Sequence, residues 1–583
     1  MEVSNASTYR THPIQLFPWL SIETGHVALA EMLLQAVQPV TGPKLLIIDG
    51  CVGLPWDSFI SELGVALEKQ TQEKISWLST ETCFRPEHEL QVLLESSLTT
   101  DPVFGRLFHG DLRDFWLPER LTNLQSRVEE VSEDAITIVY GFGASLVTSQ
   151  GFQVYVDVPK DRGQQLAGQK AICNVGASEP EAPGAMYKRF YFIDWPMLNR
   201  IKRTQLARMD LFVDGSEADA PKIIRGDDFR QVLHEMAQQP VRVKPWFAPG
   251  PWGGQWMKEQ FGLPPEAPNY AWSFELIAPE NGILLGNNQL SLECAFDYLL
   301  WAETDAVLGV SVAARYGSYF PIRFDYLDTM GGTNLSCQVH PRVDYIRSEF
   351  GEPFTQDETY YIVTCEQDAR VFLGLREDAD VEAFKADAFA ARDQRIPFEI
   401  TEHVNSFPSK PHDLFLIPSG TVHCSGANNM VLEISATPYI FTFKIYDYLR
   451  SDLSGNLRHV HLDHAFANLD KTRTTDWVQQ NLIPQPVVLR KGTGWAEYVI
   501  GDIDQLFFAI HRLEFSDVIE DQTDGKFVAL NLVEGECCEI ITPSGKPVEL
   551  RFAESIIIPA SVGSYILRNT GHTECKVVKA FVK

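Results

Sequence analysis

The sequence predicts a multidomain chain: an N-terminal α/β domain built on a parallel sheet, then a mainly β jelly-roll region with a helical insert, then a second, C-terminal jelly roll. Three observations carry this. Between Lys44 and Gly215, apolar runs such as LLIID (45–49), AITIVYG (135–141) and FQVYVDV (152–158) alternate with amphipathic stretches such as WDSFISELGVALEKQ (56–70), the pattern of a parallel sheet with crossover helices. The segment VRVKPWFAPGPWGG (241–254) is dense in turn formers and reads as a boundary. Beyond it the texture changes to short β-runs punctuated by glycine and proline.

The elements follow in order. Residues 1–43 read as an N-terminal extension, 44–235 as the α/β domain, 240–470 as the first jelly roll and 471–583 as the second. In the first, IIDGCVG (47–53) starts like a strand entering a phosphate-binding loop. A P-loop closes with Gly-Lys-Ser/Thr, but counting from Gly50 the closing positions hold Pro55, Trp56 and Asp57. Proline removes a donor, tryptophan replaces the cation, and aspartate adds negative charge where phosphate would sit. The helical insert is predicted at DADVEAFKADAFAARDQ (378–394). Asp413 to His423, DLFLIPSGTVH, is echoed by Glu554 to Ser564, ESIIIPASVGS, with an acid five residues before a proline and the last residue five after it. The echo predicts two related jelly rolls of the cupin type, with Ser564 where the first has His423.

At 583 residues the chain is long enough for two to four domains, and 45% apolar content lets each bury a core. A formal charge of −29 argues against a general nucleic-acid or anionic-membrane binder, so an anionic ligand must meet a local cluster of Lys or Arg. Ten cysteines without regular spacing, including the adjacent Cys537 and Cys538, predict a reducing, cytoplasmic setting. The opening residues do not have the pattern of an export leader, and no apolar run reaches the ~20 residues of a membrane span.

In LSCQVHP (335–341), Gln338 and His340 stand two apart and leave the same face of a strand. Glu358 opens ETYYIV, and His423 closes the DLFLIPSGTVH run. One carboxylate, two imidazoles and an amide oxygen brought from three strands suit a borderline divalent ion with a coordination position left open.

The segments LSCQVHP, ETYYIV, DLFLIPSGTVH, VLEIS (431–435) and FKIYDYLR (443–450), with GPWGGQWMKEQFG (250–262) and FPIRFDYLD (320–328), resemble type I phosphomannose isomerase of the cupin superfamily. The resemblance spans roughly residues 240–583. It implies a zinc-dependent aldose–ketose isomerase that interconverts mannose 6-phosphate and fructose 6-phosphate, with one Zn2+ per chain held by Gln338, His340, Glu358 and His423. It further implies Ser336 and Lys444 at the substrate, Arg450 facing the active site and Glu433 beside the metal. The base for proton transfer through a cis-enediol is left open among Glu433, His340 and a metal-bound water. Two family lysines correspond here to Asp325 and Gln356, and Arg323 and Arg342 are the candidates to replace their charge. Two other functions fit those losses: a non-catalytic sugar-phosphate sensor, or an isomerase of a different or unphosphorylated sugar. The 44–215 region, with ITIVYGFGASLV and the basic YKRFYFIDWPMLNRIKR (187–203), resembles the uridine-kinase-like branch of P-loop kinases in degenerate form, the basic stretch standing where that family has its lid.

Overall fold

The computed structural model describes residues 9–40, 42–131, 135–438, 440–451 and 455–583; the first eight residues of the N-terminal extension lie outside them. The chain forms two compact units and does not divide at one point. One unit comprises Ile14–Met236 and Pro279–Glu303, and the other residues 9–13, Ala237–Ala278 and Thr304–Lys583.

In the first unit the runs read as parallel strands are parallel strands. Lys74–Ser79, Ala135–Tyr140, Lys44–Gly50, Phe152–Asp157 and Leu211–Asp214 lie side by side in that order, and antiparallel Lys222–Arg225 and Glu23–Thr24 extend the edge. Leu46, Ile47, Ile48, Ile136 and Ile138 are fully buried, as expected of strands covered by helices on both faces. Residues 279–303 belong to this unit: Gly282–Gly286 and Ser291–Ala295 form a hairpin on which Ile14–Leu16 pairs in parallel.

Lys44–Gly50 is the central strand, and its carboxyl end lies where strand order reverses, the usual ligand crevice of such sheets. Here the crevice is used internally. Buried Asp49 accepts bonds from the backbone amides of Gly50 (2.8 Å), Gly143 (2.8 Å) and Ser145 (3.1 Å) and from the Ser145 hydroxyl (2.5 Å). Trp56 leans over Gly50, so that a Cβ there would meet its ring at 3.1 Å and the Val156 carbonyl at 2.8 Å. The basic stretch 187–203 is not a free lid. Phe190, Phe192 and Ile193 bury it, Lys188 donates to the Asp101 carbonyl, and buried Lys202 pairs with Asp157 at 2.6 Å.

The second unit holds two antiparallel double sheets. In the first, six strands run in the order Leu414–Ile417, Glu358–Cys365, Asn429–Ala436, Ile322–Asp328, Trp272–Leu276 and Trp246–Ala248. They face Val404–Pro408, Arg370–Leu375, His423–Ser425, Cys337–Val339 and Phe443–Tyr446. The insert is the helix Val381–Gln394, which starts later than predicted because Asp380 caps it, accepting from the Glu382 (2.9 Å) and Ala383 (3.3 Å) amides. The second double sheet has Val487–Gly492, Trp495–Gly501, Phe508–Phe515, Cys575–Val582, Val528–Glu534 and Ser555–Ile558 on one side. Val518–Gln522, Ser564–Asn569, Cys537–Ile541 and Val548–Arg551 form the other. The sequence echo is structural: His423 and Ser564 each open the strand that follows the proline. Among the described residues, no helix is long and apolar enough to cross a membrane.

Candidate metal centre

Gln338 lies on Cys337–Val339 and is paired in register with His423 on one neighbour and Lys444 on the other. His340 follows that strand directly, and Glu358 opens the facing sheet's Glu358–Cys365. Ligand atoms of His340, Glu358 and His423 all lie within 4.8 Å of one another and all three residues are buried. Nε2 of His340 contacts Oε2 of Glu358, Nε2 of His423 lies 3.5 Å from the same oxygen, and the Gln338 amide lies 3.2 Å from His423 Nε2.

The far nitrogens fix the rings. His340 Nδ1 is 2.9 Å from the Phe441 carbonyl and His423 Nδ1 2.8 Å from that of Thr421, so each ring donates there and turns an acceptor Nε2 inward. Burial pushes Glu358 up, but the attraction and hydrogen bonds of His340 and His423 outweigh it and hold the carboxyl well below its usual range. Burial pushes His340 down despite Glu358. An ionised carboxylate beside a neutral imidazole is the protonation state that a divalent cation requires. Oε1 of Glu358 is buried without a hydrogen-bond partner, so the donor set fits a metal at this point.

Beside the quartet, Arg323, Asp325 and Glu433 form a buried charge cluster on two adjacent strands. Arg323 donates to Oε1 of Glu433, lies 3.3 Å from Asp325 and bonds Ser435 at 2.5 Å. With its amide in the orientation that satisfies both ends, Gln356 accepts from Arg323 at 3.1 Å. Asp325 and Gln356 therefore converge on Arg323. Ser435 also donates to Oε1 of Glu433 at 2.8 Å, and Oε2 accepts no hydrogen bond among the described residues. Burial pushes Glu433 well up, with Asp325 and Glu358 adding to it against the pull of Arg323.

A second group lies around Asp447, which the sequence reading did not single out. Asp447 accepts from the Ser336 hydroxyl at 2.7 Å and pairs with Arg450 at 3.2 Å and Arg458 at 2.8 Å. An acid three residues ahead of Arg450 in YDYLR was the available clue; Arg458 gave none. Tyr448 and Leu449 sit at φ of 53° and 55°, a left-handed turn that sets Arg450 over the Tyr448 ring at 5.0 Å. Burial, then Arg458 and Arg450, push Lys444 down to about 8 against the pull of Asp447. Arg342 is not brought in: it is exposed, and its guanidinium donates to the Ala467 carbonyl at 3.0 Å. Its backbone starts the helix Val343–Phe350, which turns the side chain outward.

Comparison with known proteins divides the chain in the same way as its texture. Residues 25–238 match a family model described as Domain of unknown function (DUF8485). The putative mannose-6-phosphate isomerase YvyI of Bacillus subtilis is 25% identical over 349 residues, covering 58% of this chain and 98% of that protein. The mannose-6-phosphate isomerase of Streptococcus mutans is 25% identical over 316 residues, covering 54% of this chain and 90% of its own. The crystal structure of the mannose 6-phosphate isomerase from Bacillus subtilis aligns with a TM-score of 0.49 at 20% identity, over 59% of this chain and 99% of that one. Over somewhat more than half its length, then, this chain's relatives are mannose-6-phosphate isomerases.

Proposed function

We propose that the chain is a metal-dependent aldose–ketose isomerase interconverting mannose 6-phosphate and fructose 6-phosphate. The observation that carries it is the convergence of His340, Glu358 and His423, with Gln338, next to the cationic group of Lys444, Arg450 and Arg458. Zinc held by these four side chains would polarise the sugar oxygens at C1 and C2.

The chain's own residues supply the rest. With both ring nitrogens of His340 committed, one to a carbonyl and one to the centre, that residue has no site for a travelling proton. Glu433 is aimed by two bonds on Oε1 and keeps Oε2 for the substrate. In its ionised form, which the Arg323 pair favours against the burial that raises its proton affinity, it takes the proton from C2 and returns it to C1 through a cis-enediol, while the hydroxyl proton passes from O2 to O1. Arg450, anchored by Asp447 and the Asn334 carbonyl, offsets charge on the enediolate oxygens. Lys444 and Arg458 are assigned to the phosphate.

One observation favours a second reading. Arg323 is already balanced by Asp325 and Glu433, so it does not restore the charge of the two absent lysines, as an isomerase of an unphosphorylated sugar would allow. A coupled assay on mannose 6-phosphate and on mannose, with and without zinc, tests both. Metal-dependent turnover of the phosphate at a higher kcat/KM supports the first reading; preference for mannose supports the second, and no turnover of either sinks both. For the α/β unit we infer a degenerate P-loop-kinase-like module that packs or regulates; the internal use of its crevice amides by Asp49 supports this.

A further inference from the structure

The C-terminal double sheet has a face that does not alternate as a packed barrel should. Along Phe508–Phe515, Leu513 and Phe515 point into the apolar core, and His511 shares their parity. Along Cys575–Val582, Cys575 and Val577 point inward, and so, by the same period of two, do Lys579 and Phe581. Glu497 stands two residues from Trp495, which packs on that core, and Asp521 two from Ile519, which is part of it. One end of the barrel interior is thus apolar and the other is lined by charge.

The charged end opens into a cavity of about 710 Å³, a volume in the range of small-molecule sites. Its polar groups form one network. Arg490 bonds both Glu497 and Asp521, the latter at 2.9 Å, and His511 bonds Glu497 at 2.7 Å. Tyr565 donates to Asp521 at 2.5 Å, and Lys579 lies 2.9 and 2.7 Å from its two oxygens. Glu497, Asp521, Tyr565 and Lys579 are each at least nine-tenths buried. A jelly roll that needed only stability would fill these positions with apolar side chains, because inward ion pairs recover little of their desolvation cost.

The chemistry of the lining selects the ligand. The Lys579 ammonium lies between Asp521 and Glu497, which it approaches at 3.8 Å, in the place a cation would take. A phosphate is opposed as well, since Arg490 and Lys579 are already paired and the exposed rim adds Glu520 and Asp524. What remains is an array of fixed donors and acceptors with no net charge in its core pairs, flanked by the Phe581 ring and the aliphatic Leu489 and Ile541. We propose that this cavity is a second, metal-free site for a neutral polyhydroxylated ligand, an unphosphorylated sugar. Hydroxyls bridge carboxylate and guanidinium or ammonium partners, and the C–H face of the ring packs on Phe581.

Saturation-transfer NMR on the metal-loaded full chain, with mannose, glucose, fructose, mannobiose and maltose as probes, tests this. Transfer to at least one probe is expected. Asp521→Asn should weaken that binding at least tenfold. Ser564→Trp, which fills the exposed mouth without touching a buried charge, should do the same, and neither should alter isomerisation of mannose 6-phosphate. Transfer to none of the probes overturns the proposal, as does transfer that survives both substitutions or that mannose 6-phosphate displaces.

Discussion

Arg323 donates through Nη2 to Oε1 of Glu433 on the neighbouring strand, and the same guanidinium lies 3.3 Å from Asp325. Two buried carboxylates therefore share one buried cation, and Glu433 is held in a single orientation beside the candidate metal centre. Removing the arginine leaves both acids uncompensated in a low-dielectric interior. Arg323→Met should cost about 3–5 kcal/mol of stability. Chemical denaturation reads this directly, and a loss under about 1 kcal/mol would show that the acids are neutral without it.

Metal content is the second test. His423→Ala removes the imidazole that reaches both Glu358 and Gln338, so metal measured by atomic emission should fall from about one ion per chain to near none. Unchanged stoichiometric metal in that variant would place the ion elsewhere.

Glu433→Gln keeps the hydrogen bonds on one oxygen but cannot accept a proton. It should lower kcat at least ~100-fold while metal content stays unchanged. Arg450→Ala should lower kcat more than it raises KM, whereas Lys444→Met should mainly raise KM for the phosphorylated sugar. The reverse split would exchange the roles assigned to these two cations.

In the α/β unit Asp49 holds the Gly50, Gly143 and Ser145 amides, Trp56 covers Gly50, and the loop has Pro55, Trp56 and Asp57 where a P-loop has Gly, Lys and Ser/Thr. Titration calorimetry with Mg-ATP should give no heat of binding. Micromolar binding abolished by substitution at Gly50 would contradict this account of the loop.

Glu497 gives a pH-dependent prediction. Burial pushes it up, but hydrogen bonds from His511 and Arg490 and the charge of Lys579 outweigh this and bring it from 4.5 down to about 2. Its folded form thus binds its proton less readily than the unfolded chain. The stabilisation is present above the ordinary carboxylate range and is lost as pH falls through that range towards about 2. Glu497→Gln should flatten this part of the stability profile relative to the wild type, as measured by urea denaturation from pH 6 to pH 3. Parallel profiles would mean that the carboxylate is not held by those partners.

The sequence by itself determined which runs become strands and which residue types stand as candidate metal ligands. Parallel strands followed from LLIID and AITIVYG because residues buried on both faces must be apolar throughout, and Gln338 and His340 shared a face because a strand repeats every two residues. The paired runs ending in His423 and Ser564 showed two related barrels because each run contains the same strand, proline turn and strand start. Tertiary structure alone decided which charges meet. Nothing local in FPIRFDYLD shows that Arg323 will be neutralised by Asp325 and Glu433, or that Arg342 will turn out to the Ala467 carbonyl. Asp447 became a hub, and residues 279–303 joined the α/β unit, only when segments distant in sequence were paired. Backbone periodicity is a property of neighbours in the chain, whereas the pairing of buried charges depends on strand register across the fold, which side-chain patterns one strand at a time do not encode.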